Sequence, residues 1–185
     1  EKTFPYVEPS DLKSIQAQRP SGVRDLKIDW NSERIYDQIY GAWLGRAAGC
    51  VLGKPVEGWP KERIDKYLKD HNIDILDNYL PFDEKVLPGV HKVSTRGNIN
   101  FMPRDDDMDY VIIGLLALEK RGIKTSARTI ANTWVDRLPF NVVYTAEECA
   151  YRNFVNSIWP PLSGTHRNPF REWIGAQIRA DVFGY

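Results

Sequence analysis

The chain has 185 residues, of which 42% are hydrophobic and 27% charged, and its 25 Lys and Arg residues balance its 25 Asp and Glu residues. This composition is typical of one soluble globular domain. Because the formal net charge is zero, no overall field favours nucleic acid or an anionic membrane, and no apolar run approaches the roughly 18 residues that span a bilayer. We therefore expect no nucleic-acid partner and no membrane partner. The default location is cytoplasmic, and the oligomeric state is left open.

The first 30 residues differ from the rest of the chain. They contain Pro5, Pro9 and Pro20, few apolar residues and no periodicity. This pattern predicts an extended N-terminal arm over residues 1–30, followed by a single domain over residues 31–185.

The first long helix is predicted from Asn31 or Ser32, either of which could be the N-cap, to about Gly53, where Lys54-Pro55 ends it. Glycine recurs at every fourth position of this helix, at Gly41, Gly45, Gly49 and Gly53. Such a stripe lets another backbone or a ligand approach closely, and close helix–helix packing is the favoured interpretation.

A short helix is predicted to open with Pro60 as its first residue and to run through Leu68. Residues 78–103 read as a long irregular connection, a type that is often functional or disordered. An apolar helix follows, which should end near Arg121 with Gly122 as its C-cap.

Three more helices are predicted toward the end of the chain. One starts near Thr125-Ser126 and stops before Pro139, and the next starts at a capping box of Thr145 and Glu148. The last begins at Asn168-Pro169. Since no period-2 run appears, the chain is predicted to be all-α.

Four carboxylates fall within five residues directly before the apolar helix, at Asp105, Asp106, Asp107 and Asp109. Like charges a few Å apart raise each other's pKa, so the cluster is unfavourable unless positive charge lies among its members. A helix N-terminus supplies part of that charge, and one or two aspartates would be enough for a cap. A divalent metal ion supplies more charge and takes oxygen ligands of this kind. Taken alone, the pattern leaves capping and metal binding both open.

Residues 41–57 read Gly-Ala-Trp-Leu-Gly-Arg-Ala-Ala-Gly-Cys-Val-Leu-Gly-Lys-Pro-Val-Glu, and the aspartates follow after a gap. In this order the two segments resemble motifs of the ADP-ribosylglycohydrolase family. The resemblance implies a compact orthogonal all-α bundle that uses two Mg²⁺ ions to release ADP-ribose from modified proteins or related small molecules. It places Glu57 on a glutamate that lies close to the metals and helps handle the attacking water. Cys50 stands where the family usually has aspartate.

The second motif can be aligned in two registers, and both stay open. In one register, Asp105 and Asp106 match the two aspartates of a Thr-Asp-Asp-Thr motif, and Arg104 replaces a threonine that ligates metal in the family. In the other, Asp105, Asp106 and Asp107 are the three ligands. Residues 173–179 resemble a weaker Gly-x-x-Met-Arg segment from the middle of the family's fold.

The resemblance therefore implies an enzyme, a glycoside hydrolase with Glu57 as catalytic residue and Asp105, Asp106 and Asp107 as metal ligands. The family's later acidic cluster, which completes the metal shell, has no counterpart here. Since the chain also ends on Phe-Gly-Tyr directly after a predicted helix, we expect a truncated domain that lacks part of the active site. Two alternatives remain: an inactive ADP-ribose-binding or structural scaffold, and a hydrolase of another N- or O-glycosidic bond such as that of a nucleoside.

Overall fold

The computed structural model describes residues 5–9, 11–24 and 31–184. All regular structure in these ranges is helical, and they contain no strand, which confirms the all-α prediction. The α-helices are α1 (Leu12–Ala17), α2 (Ser32–Gly53), α3 (Lys61–Asp70), α4 (Asp106–Arg121), α5 (Ala127–Arg137), α6 (Thr145–Val155) and α7 (Asp181–Gly184). Short 3-10 helices lie at Lys54–Val56, Gly89–Ser94, Gly122–Lys124, Phe140–Val142, Leu162–Gly164 and Ile174–Arg179.

The chain divides into two compact units, Glu1–Ile35 and Tyr36–Tyr185. Within the first unit, α1 begins after Asp11, whose carboxylate accepts a hydrogen bond of 2.9 Å from the Ser14 N–H. This short helix interrupts the predicted arm. Residues 1–4, 10 and 25–30 of that arm lie outside the described residues, and the division into an arm and a domain stays a prediction.

Helix α2 has the predicted bounds. Its N-cap is Asn31, whose side-chain oxygen accepts the Arg34 N–H at 3.0 Å. Of its 22 residues, all of which are described, only Val51 is buried. The rest of the helix therefore gains little from apolar packing within the described chain.

The main core lies between α4, α5 and α6. Eight buried side chains form one cluster: Tyr110, Ile113, Ala131, Trp134, Leu138, Val143, Tyr151 and Phe154. The Trp134 ring lies at its centre, 4.8 Å from the Tyr110 ring and 5.9 Å from the Phe154 ring. Helix α4 ends as predicted, since Gly122 follows Arg121 as the C-cap with φ +56°.

The connection over residues 78–103 is irregular, as predicted, except for the 3-10 helix Gly89–Ser94. Leu80 and Leu87 are almost fully buried against Tyr67 of α3, whose hydroxyl donates to the Pro81 carbonyl at 2.7 Å. Apolar packing and this hydrogen bond thus fix the connection in place.

Two helix starts differ from the predictions. Helix α3 begins at Lys61, so Pro60 is its N-cap rather than its first residue. The predicted capping box at α6 is wrong. Tyr144 takes the extended N-cap conformation without a side-chain cap, and Thr145, with φ +43°, is already the first helical residue.

The last predicted α-helix is also wrong. Residues 169–173 form turns and Ile174–Arg179 is a 3-10 helix. The reason lies in Asn168, whose side-chain N–H groups donate to the Ala146 and Gly164 carbonyls, at 2.9 and 3.1 Å. Its side-chain oxygen accepts the Phe170 N–H at 3.1 Å, which fixes a turn instead of a helix start.

No helix among the described residues has the length and apolar character needed to cross a bilayer.

Candidate functional site

The aspartate cluster forms the first turn of α4. Asp105 is the N-cap, with φ −153° and ψ 146°, and its Oδ1 accepts the Asp107 N–H at 3.0 Å. Asp106, Asp107 and Asp109 follow in the first turn. The capping interpretation is thus correct for Asp105, because a single carboxylate fills the cap position. The other three acids are not needed for the cap.

Burial and neighbouring charge separate the pKa values of these acids. Burial raises the pKa of Asp106 to about 6, with a further contribution from the charge of Asp105. Burial and then Asp105 also raise the pKa of Asp107. Burial alone would raise the pKa of Asp105, but its hydrogen bonds to Lys54 and to the Asp107 N–H outweigh that effect and lower it. Asp106 therefore carries the least compensated negative charge of the three.

Helix α2 and the turn after it present three side chains to these acids at every fourth position: Arg46, Cys50 and Lys54. The Lys54 ammonium forms an ion pair with Asp105 Oδ2. The Cys50 thiol donates to Asp107 Oδ2 at 3.8 Å. Arg46 Nη1 donates to the Asp107 carbonyl at 3.1 Å and its guanidinium pairs with Asp181. Steps of four residues keep the three on one face of the helix.

Cys50 is a free cysteine, partly buried, beside two acids. Burial, followed by the charges of Asp105 and Asp107, raises the pKa of the thiol to about 12. In the metal-free protein the thiol therefore acts as a hydrogen-bond donor to Asp107.

Two cavities meet at the acids. The first, which we call the glycine cavity, has a volume of about 520 Å³ and is lined by Gly45, Gly49 and Gly53 of α2 and by Asp105, Asp107 and Asp181. The second, the acid cavity, has a volume of about 420 Å³ and is lined by Glu57, Asp105, Asp106, Asp107, Glu147 and Trp173. Lys54 lines both.

The glycine stripe does not pack against another helix among the described residues. A Cβ added at Gly41, Gly45, Gly49 or Gly53 would meet no described atom within 4 Å, apart from the helix's own backbone. The favoured prediction of close helix–helix packing is therefore wrong for the described chain. Three of the four glycines instead form a wall of the glycine cavity.

All four site residues named from the sequence, Glu57, Asp105, Asp106 and Asp107, lie on the wall of the acid cavity. Glu57 is exposed and caps the 3-10 helix Lys54–Val56.

Arg104 also lines the acid cavity, but it forms no ion pair with Asp105, Asp106 or Asp107. It pairs with Asp109 at 2.5 Å and donates to the Val142 carbonyl at 3.1 Å.

The opposite wall of the acid cavity comes from α6 and the segment before α7. Glu147 is only 5% exposed and forms an ion pair with Arg179. Tyr144 and Trp173 also line this cavity and are 50% and 58% exposed.

Sequence reasoning missed Arg46, Lys54 and Glu147 as parts of this region. A signal for the first two was present: Arg46, Cys50 and Lys54 share one helical face, and Cys50 was already aligned with a family motif. Glu147 carried no such signal, because its partner Arg179 lies 32 residues away in the chain.

The residues present fit a divalent ion. Four carboxylates in this region already have cationic partners, in the pairs Lys54–Asp105, Arg104–Asp109, Arg179–Glu147 and Arg46–Asp181. No ion pair with a described residue neutralises the other three: Asp106, Asp107 and Glu57. One donor atom from each of Cys50, Asp105 and Asp107 lies within 4.8 Å of the others. Two of these three donor atoms are carboxylate oxygens, which Mg²⁺ prefers, and the group does not include Asp106 or Glu57.

Comparison with known proteins gives one match. The family model described as ADP-ribosylglycohydrolase matches residues 31–185. No curated protein and no solved structure gives a significant match. The matched range contains every residue of the two cavities.

Proposed function

The chain belongs to the ADP-ribosylglycohydrolase family, and from that membership we propose that it is a metal-dependent hydrolase that cleaves a glycosidic bond to ADP-ribose. The substrate would be an ADP-ribosylated protein or a small molecule that contains ADP-ribose. The observation that carries the proposal is the group of three carboxylates, Asp106, Asp107 and Glu57, that line one cavity and form no ion pair with a described residue.

In this proposal Asp105, Asp106 and Asp107 hold two magnesium ions. When bound, Mg²⁺ supplies Lewis-acid polarisation and orients the groups beside the anomeric carbon. The register with three aspartate ligands is supported by the pairing of Arg104 with Asp109 rather than with Asp105, Asp106 or Asp107. Helix α4 fixes the positions of these acids, since its next turns are buried in the core.

Glu57 has the role of proton acceptor. It is exposed at the wall of the acid cavity, so an attacking water molecule can reach its carboxylate. Glycosidic cleavage passes through an oxocarbenium-like state, in which positive charge develops on the sugar ring. Carboxylates fixed around the ring stabilise that charge, and Glu57 and Asp106 lie on the wall where they can do so. A volume of about 420 Å³ is within the range of small-molecule sites.

One observation favours a second candidate, a non-catalytic ADP-ribose-binding protein. The Lys54 ammonium already forms an ion pair with Asp105, a proposed ligand. A protein whose acidic side chains are neutralised by its own lysine in this way would bind ADP-ribose without a metal ion and would not cleave it.

Product release separates the candidates. The purified protein is incubated with ADP-ribosyl-arginine protein, ADP-ribosyl-serine peptide, an ADP-ribose ester and simple nucleosides, each with Mg²⁺ or with EDTA. We expect chromatography to show free ADP-ribose only with Mg²⁺. The Asp107→Asn variant should lose at least about 100-fold in rate, since it removes a proposed ligand. The control is Asp136→Asn, at an exposed position of α5 that lines neither cavity, and its rate should stay within about threefold of the wild type.

Other results of the product-release experiment would each support a different candidate or contradict the proposal. Binding of ADP-ribose without release of any product would support the non-catalytic candidate. Cleavage of nucleosides alone would assign the site to another glycosidic bond. Release that is equal in Mg²⁺ and in EDTA would contradict the metal-dependent proposal.

A further inference from the structure

Lys54 places a positive charge inside the acid cluster. Its ammonium pairs with Asp105, which is 4% exposed, while the Lys54 side chain itself is 26% exposed. The residue lines the glycine cavity, the acid cavity and a third cavity of about 590 Å³ that Glu57 and Trp59 also line. The side chain thus reaches a buried acid from a position that borders open space.

A single ammonium compensates the cluster only in part. It carries one positive charge and pairs with one carboxylate, so Asp106 and Asp107 still form no ion pair with a described residue. A divalent ion carries twice that charge and can bind several carboxylate oxygens at once. A divalent ion near Asp105 would also repel the Lys54 ammonium, because both are cations.

An alternative position for the ammonium is available nearby. Lysine has a flexible four-carbon stem, so its charge can move several Å without backbone motion. Glu57 lies three residues further along, and its charge already acts favourably on the Lys54 ammonium. Both residues line the third cavity, which gives the displaced side chain room.

We propose that Lys54 is an internal cation that pairs with Asp105 when no metal is bound, and that a divalent ion displaces the Lys54 ammonium from Asp105 into the third cavity. This proposal rests on the proposed function, because it needs the acids to be a metal site. Lys54 is a positioning residue in this scheme. It stabilises the cluster in the metal-free protein and, by competing for Asp105, weakens the apparent affinity for metal.

Metal affinity of a charge-removing variant tests the proposal. Mn²⁺ binds oxygen ligands as Mg²⁺ does, and electron paramagnetic resonance counts the free ion. Lys54→Met keeps the stem and removes the charge, so the dissociation constant for Mn²⁺ should fall at least about tenfold. Lys54→Arg keeps the charge, so its dissociation constant for Mn²⁺ should stay within about threefold of the wild-type value. Lys61→Met is the matched control, because Lys61 also pairs with an aspartate, Asp65, but lines neither the glycine cavity nor the acid cavity.

A second measurement uses the unaltered protein and does not depend on how a variant folds. An amine-reactive reagent followed by mass spectrometry gives the labelling rate of each lysine. Addition of Mg²⁺ should raise the rate at Lys54 several-fold, because the ion frees its ammonium from Asp105. The rate at Lys61 should not change.

The outcomes separate the two proposals. Equal or weaker Mn²⁺ binding by Lys54→Met, with normal binding by the wild type, would overturn the role of Lys54 and leave the metal site intact. An unchanged Lys54 labelling rate at saturating Mg²⁺ would also overturn it. Absence of binding in the wild type and in every variant would overturn the metal site and this inference with it.

Discussion

Helices α2 and α4 both line the candidate site, but different forces hold them. Helix α4 has five buried residues, Tyr110, Val111, Ile113, Gly114 and Ala117, and packs against α5, α7 and the 3-10 helix Ile174–Arg179. Helix α2 is six residues longer, at 22 residues against 16, and buries only Val51.

Polar contacts instead join α2 to the acids. Arg46 contacts both Asp107 and Asp181. Cys50 contacts Asp107, and Lys54, directly after the helix, pairs with Asp105. The core therefore fixes the acidic side of the site, whereas the cationic side is positioned by the charges that it neutralises.

The two helices should differ most in the stability that is lost when an apolar side chain is truncated to alanine. Ile113→Ala in α4 should lower the free energy of unfolding by about 2–5 kcal/mol, because the side chain is 6% exposed and its loss leaves a cavity. Leu44→Ala in α2 should change it by less than about 0.5 kcal/mol, because that side chain is 52% exposed. Chemical denaturation measures both. Similar losses at the two positions would show that α2 is packed like α4.

Removal of the Arg46 side chain tests the polar attachment of α2. Arg46→Ala should cost about 2 kcal/mol, because the Asp181 carboxylate loses this partner and the Asp107 carbonyl loses a donor. The control is Arg34→Ala, at an exposed position of the same helix, which should cost less than about 0.5 kcal/mol. An Arg46 variant with the wild-type denaturation midpoint would show that the contacts do not hold α2 in place.

Substitution of glycine by alanine should change the stability of the protein in opposite directions in the two helices. A Cβ at Gly114 in α4 would lie 2.6 Å from Val182 Cγ1, so Gly114→Ala should destabilise by about 1–3 kcal/mol. Gly49→Ala in α2 meets no such atom and should stabilise by about 0.5–1 kcal/mol through helix propensity. Thermal unfolding gives the sign of each. Destabilisation by Gly49→Ala would mean that the stripe is covered in solution.

A smaller effect is expected at Asp106, whose charged form the fold disfavours. The pKa of Asp106 is raised to about 6 by burial and by Asp105 and Asp107. The charged carboxylate therefore destabilises the folded protein fully above pH 6, and this destabilisation disappears as the pH falls below about 4. In the metal-free protein, Asp106→Asn should therefore raise the free energy of unfolding by about 1 kcal/mol at pH 7. The gain should shrink at pH 4.5 when denaturation is repeated there. A constant difference between the two pH values would show that charge is not the cause.

Local signals in the sequence were enough for most helix bounds. The N-cap at Asn31, the C-cap at Gly122 and the stop before Pro139 each follow from one or two residues whose chemistry begins or ends a helix. The same reasoning failed at Thr145 and Asn168. At Asn168 a contact between residues distant in the sequence decides the conformation, because the Asn168 side chain donates to the Ala146 carbonyl, 22 residues earlier in the chain.

For the site, the sequence grouped Glu57 with the aspartates through a family motif, and the structure puts them on one cavity wall. It could not identify the partners of each acid. Periodicity places Lys54 on one helical face with Arg46, but does not say that Asp105, 51 residues later, lies opposite that face. The glycine stripe was misjudged for the same reason, since spacing alone does not show whether another helix or an open cavity lies against it.

Magnesium titration calorimetry tests most directly whether the α4 acids are a metal site. The wild type should bind Mg²⁺, Asp106→Asn should bind it at least about 100-fold more weakly, and the exposed control Asp136→Asn on α5 should bind it as the wild type does. If the wild type released no heat of binding, or if the Asp106 and Asp136 variants bound Mg²⁺ equally well, the α4 acids would not be a metal site.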